Sequence, residues 1–348
     1  MKLSRVGILI LLTTIVIAGT SCSTYNRWVA RRNLVDGVLA YKDRKFSVAE
    51  GFFRKAVAID PEAKTEEGKK ARSFLARTLN SIYVGNRSEA SSKAIGEEAV
   101  KLYRASVTDD VNDQSSFNAV ANLYQTFAGQ YPEEKDKWTQ ELEKWTTERA
   151  DNTNVEAKYR ADAYSSLASK QYTCANEISD TEAVKKTVKE EGKDVFKFSK
   201  PEKPEDFEKF KQCVQKGTEL VDKAVALEND QAKSVMTAVI DKNTSDADMS
   251  KITETTRIWA KVWSFKASMS RQAMRLADME GNADEKNSFK TKAEEQRAKF
   301  LEYLAVEKKI ETEKERRQIE KDPSMANANA ANGANANAAN GENTNTNK

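Results

Sequence analysis

The chain has 348 residues, enough for one large or two modest domains. Its 57 lysines and arginines nearly balance 54 acidic residues, leaving a net charge of +3, so no long-range field directs it to nucleic acid or to an anionic surface. Histidine is absent, which removes the commonest general base and metal ligand, and with them Ser–His, Cys–His and histidine–metal chemistry.

The first element is an export signal over 1–21. Lys2 and Arg5 precede an apolar run over 6–19, which ends in Gly19-Thr20-Ser21-Cys22. The run is shorter than the roughly 20 residues a spanning helix needs. Its end is similar to the lipobox of bacterial lipoproteins, in which Cys22 would carry the lipid and become the first mature residue. Gly19 departs from that motif, where an aliphatic residue is usual. Two other readings stay open: an uncleaved anchor followed by Arg27, Arg31 and Arg32, or ordinary cleavage. All three place the body outside the cytoplasm, and residues 22–32 read as a tether.

Glycine and proline are scarce, at 13 and 5, and no run alternates apolar and polar residues clearly enough to predict a sheet. Between residues 33 and 61, small residues recur at helical spacing on two successive segments: Gly37, then Ala49 and Ala56 two turns apart with Phe53 between them. Pro61 ends the second segment because it has no amide proton for the next turn. This pair resembles a tetratricopeptide repeat, a unit of about 34 residues, with its signature met at Gly37, Ala49, Phe53, Ala56 and Pro61. Asn33, Asp36 and Ala40 stand where Trp, Leu and Tyr are usual.

Further helices are predicted near 69–84, 89–105, 114–129, 133–150 and 156–175, each with apolar residues three and four apart. The stretch Lys55-Ala56-Val57-Ala58-Ile59-Asp60 returns as Lys223-Ala224-Val225-Ala226-Leu227-Glu228, aligning Ala49 with Gly217 and Phe53 with Val221. A Lys- and Glu-rich insertion over 179–204 divides a helical region over 33–178 from a second over 205–322. A last pair is predicted over 255–281 and 283–309, its second helix continuing as a charged, solvated cap. The Ala/Asn run over 323–348 has nothing to anchor a core and is expected to be a disordered tail.

The expected fold is all-α, a superhelical stack of antiparallel helix pairs. Cys174 and Cys213 flank the insertion, and export favours a disulfide between them over two buried thiols. Trp138 with Trp145, and Trp259 with Trp263, share helix faces and suit core packing better than a ligand platform. The repeat resemblance implies a groove for partner peptides along the first helix, at Tyr41 and Lys42. It also implies a non-catalytic scaffold for protein partners, which the export signal places at a bacterial envelope; no cofactor is expected, and interleaved charges argue against nucleic acid. An envelope binder of a glycan or peptide solute is the competing reading.

Overall fold

The computed structural model describes residues 25–322, apart from 88, 90 and 191. The predicted signal, Cys22 and the tail over 323–348 lie outside the described residues. The chain forms two compact units that divide between Trp145 and Thr146, within one helix and ahead of the 179–204 segment.

In the first unit, α1 covers 25–42 and is followed by α2 (Phe46–Ile59), α3 (Glu66–Gly85), α4 (Ser92–Asp109) and α5 (Gln114–Gln130). A 3-10 turn at Pro132–Glu134 leads into α6 (Lys135–Asp151), where the sequence reading had one helix over both. Residues 25–32, expected as tether, are the first turns of α1, because Ala30 is already buried.

Successive helices pack as antiparallel hairpins around one apolar core. The α1–α2 contact is close because of its small residues. Ala49, Phe53 and Ala56 form the fully buried stripe of α2, and a methyl on Gly37 would stand 2.5 Å from the Phe53 ring. That ring stacks on Phe74 of α3 with centroids 5.4 Å apart.

The α2–α3 corner is set by Asp60. Its carboxylate accepts from the Lys64 amide at 3.0 Å, the Thr65 amide at 2.8 Å and the Thr65 hydroxyl at 2.7 Å. Thr65 then caps α3 by accepting from the Gly68 amide at 3.0 Å. Burial would raise the Asp60 pKa, but the Thr65 and Lys64 hydrogen bonds outweigh it and hold the carboxyl below its ordinary range.

The second unit begins in the last turns of α6 and continues with α7 (Ala157–Ser179), α8 (Pro204–Val225), the short α9 (Asp230–Ser234), α10 (Asp246–Glu280) and α11 (Ala283–Lys321). α7 packs on α8 and α10, and α10 packs along α11. The internal echo is structural: Gly217, Val221 and Ala224 of α8 are buried at the same spacing as Ala49, Phe53 and Ala56. α10 starts nine residues ahead of its predicted beginning, where Ser245 accepts from the Asp248 amide at 3.0 Å. α11 runs on to Lys321, its charged end held by Glu313 with Arg316 and Arg317.

A further expectation is corrected. The 179–204 segment carries an antiparallel hairpin, β1 (Lys185–Glu190) with β2 (Lys193–Phe198). Gly192 occupies the turn at φ +80°, a left-handed conformation that favours glycine. Val184 and Phe198 anchor the hairpin in the core, and the Phe198 amide donates to Asp278 of α10 at 3.0 Å. Five lysines among the twelve strand residues hide this strand pattern in the sequence. The fold is otherwise helical pairs, as the composition requires.

Candidate functional site

The residues singled out on α1 sit where that helix meets α3. Tyr41 is half-buried; its ring meets Phe46 edge-on at 5.4 Å and Phe74 at 6.4 Å, and its hydroxyl lies 3.5 Å from Ser81 Oγ. Lys42, the next residue, is exposed. Arg77 stands over the outer face of Phe74, with its guanidinium carbon 5.6 Å from the ring centroid. Phe74, Arg77 and Ser81 follow one another at three and four residues, so they share one face of α3.

Behind them, Tyr103 of α4 is buried. Burial pushes its hydroxyl up to about 12, against the opposing pull of an Asn80 hydrogen bond and the Arg77 cation, so it stays protonated at neutral pH.

This edge is stiff for a stated reason. The Phe53 ring is locked in the core, Phe74 stacks on Phe53, and Tyr41 leans on Phe74. A cation and two hydroxyls are therefore presented on a side-chain column rooted in the core. Arg77 and Ser81 were missed in the sequence because polar residues on an amphipathic helix look like a solvated face. Only the approach of α1 brings them to Tyr41.

A second feature lies in the other unit. A cavity of about 370 Å³ opens where the start of α7, α9 and α10 meet, lined among others by Lys158, Gln231, Thr255 and Trp259. Lys158 donates to one Glu254 oxygen at 2.6 Å, and the Tyr159 hydroxyl donates to the other at 2.9 Å. Burial lowers the Lys158 pKa, but the Glu254 hydrogen bond and the neighbouring charges raise it further, so the ammonium persists. Trp259 is almost wholly buried, and its Nε1–H has no acceptor among the described residues.

The remaining sequence candidates are placed as follows. Cys174 of α7 and Cys213 of α8 are bonded, with Cα atoms 6.1 Å apart. Trp138 and Trp145 fill space between helices, stacked on Tyr124 at 5.8 Å and Phe117 at 5.4 Å. Trp263 donates to Glu228 at 2.9 Å. Among the described residues, no cluster of three or more His, Cys, Asp or Glu could hold a metal, and no helix is long and apolar enough to cross a membrane.

No protein-family model and no curated protein matches the chain. Among solved structures, Pseudomonas aeruginosa PilF is similar at 13% identity, covering 81% of this chain and 98% of that one. The TM-score is 0.27, too low to carry an argument about topology or function. What the chain itself establishes is helix pairs, the first of them brought close by Gly37 against the buried Phe53 ring.

Proposed function

We propose that the chain is a non-catalytic scaffold that holds a protein or peptide partner at a bacterial envelope, attached through its amino-terminal segment with Cys22 as the lipidated residue. The observation that supports the binding role is the rigid Tyr41–Phe74–Arg77–Ser81 edge between α1 and α3. A guanidinium held at a fixed place suits the carboxylates and carbonyls of an extended peptide, and a pre-ordered surface loses little entropy on binding. Lys42 adds a second cation beside Tyr41.

Cross-linking in intact membranes, followed by mass spectrometry, tests this. Changing Lys42 and Arg77 to Ala together removes both cations without disturbing the core and should release the captured proteins. Tyr41 changed to Ala with Lys42 should do the same. Retention of every captured protein by both double variants would refute the assignment.

The cavity at Lys158 and Trp259 favours a second reading, an envelope solute binder. Its volume falls in the range of small-ligand sites, about 300–1,000 Å³, and Lys158, Gln231 and Thr255 put polar side chains on its lining beside Trp259. Thermal stabilisation of the chain by an oligosaccharide or short peptide, lost in Trp259→Phe, would support that reading over the scaffold.

A further inference from the structure

α1 has a second, outward face. Tyr25, Trp28, Val35 and Leu39 are between 51% and 65% exposed. At about 100° per residue, these four positions project within an arc of about 80° along more than two turns. The opposite side of the same helix carries Ala30, Gly37 and Ala40, buried against its neighbours. Such a stripe is an unpartnered apolar face rather than scattered surface residues.

The charges around it are mostly basic, although Asp36 borders the stripe 3.9 Å from Arg32 and Arg27 is paired with Glu67. Between residues 25 and 45 there are six basic residues and two acidic ones. Arg31 and Lys42 border the stripe by the same helical geometry, and Arg32 lies within it, 5.9 Å from the Trp28 ring centroid.

We infer that this face of α1 lies in the headgroup layer of a membrane, with Trp28 and Leu39 among the acyl chains and the arginines against anionic phosphates. The inference rests on the amino-terminal attachment proposed above. If Cys22 carries lipid, Tyr25 is three residues from it, and a fully extended chain covers no more than about 11 Å over that distance. The first turn of α1 is then obliged to sit at the bilayer surface. Its composition is what such a helix requires: aromatic residues that favour the interface, aliphatic residues on the same face and arginine at the flanks. A protein partner would need no aromatic pair at the membrane-proximal end and no basic border.

The test uses the full chain reconstituted in phosphatidylethanolamine–phosphatidylglycerol vesicles, with and without phospholipids brominated on their acyl chains. Trp28 is the one exposed tryptophan of the described residues, whereas Trp138, Trp145 and Trp259 are buried. Brominated lipid should therefore quench part of the wild-type fluorescence, and Trp28→Phe should abolish that quenchable part. Val35→Glu with Leu39→Glu should reduce the quenching of Trp28 by half or more while the chain remains on the vesicles.

Flotation with the vesicles but no quenching that depends on Trp28 would overturn the inference and leave the attachment standing. Failure to float would overturn the attachment itself, and the inference with it. Efficient disulfide cross-linking of two chains through Leu39→Cys in the same vesicles would assign the face to a second copy and overturn it as well.

Discussion

Adding one methyl at Gly37 probes the packing on which the first hairpin depends. The new carbon would stand 2.5 Å from a ring atom of Phe53, and that ring is wholly buried and stacked on Phe74. The ring has nowhere to retreat, so overpacking should destabilise the hairpin by about 1–3 kcal/mol. Alanine also improves helix propensity over glycine by about 1 kcal/mol in a helix interior. Gly37→Ala should therefore cost about 1 kcal/mol net in the native background.

Phe53→Ala alone should cost about 3–5 kcal/mol, since it empties a fully buried site. In that background the clash is gone and only the propensity gain survives, so Gly37→Ala should stabilise by about 1 kcal/mol. The pair is thus coupled by about 1–3 kcal/mol. Urea unfolding followed by far-ultraviolet circular dichroism, with hydrogen exchange of the α1 and α2 amides to assign the loss to this unit, measures the cycle. Equal effects of Gly37→Ala in both backgrounds, within about 0.5 kcal/mol, would show that the ring does not exclude the methyl and would refute the reasoning.

Three further outcomes are expected. Cys174 and Cys213 are 39 residues apart, so changing both to Ser should destabilise the second unit by about 3–4 kcal/mol, and reductant should have no further effect on that variant's urea midpoint. Glu228 accepts from Tyr303 at 2.6 Å and from Trp263 at 2.9 Å; Glu228→Ala strands both donors and should cost about 2–4 kcal/mol, more than Tyr303→Phe, by thermal unfolding. Hydrogen bonds from Arg316, then Arg317, hold the Glu313 carboxyl down to about 2, below its ordinary 4.5. Because the folded value is the lower one, this contribution is complete above pH 4.5 and is lost as the pH falls toward 2. Protection of the amides at the end of α11, measured relative to their intrinsic exchange, should fall across that window in the wild type, and Glu313→Gln should flatten the pH dependence.

The helical pairs were legible because their signals are periodic and local. Gly37, Ala49, Phe53, Ala56 and Pro61 carry spacing, size and a stop signal within one short stretch, and the repeat of that spacing at Gly217, Val221 and Ala224 marks α8 in the same way. The β hairpin was not legible, because only Val184 and Phe198 reach the core, while the exposed positions between them mix Lys186, Lys189, Lys193 and Lys197 with Thr187, Asp194 and Phe196 and show no clean alternation. The start of α10 was hidden for a related reason: in its first turns, Asp246 onward, Met249 and Ile252 stand among polar residues, and the clearer signal is the Ser245 cap. At the candidate site, Tyr41 and Lys42 could be named from the sequence. Arg77 and Ser81 could not, since their meaning depends on which helix lies beside α3. The exposed stripe of α1 was not legible, because Trp28 fell in the stretch expected as tether and the exposure of Val35 and Leu39 depends on which helices lie beside α1.

The bridge between Cys174 and Cys213 has a consequence for how the chain can change. It clamps α7 to α8 on either side of the hairpin, so what lies between the two cysteines need not hold the helices together. The tip at Gly192 is then a tolerant graft point, where a longer ribbon or a new recognition sequence can be carried while the helical frame beneath keeps its register.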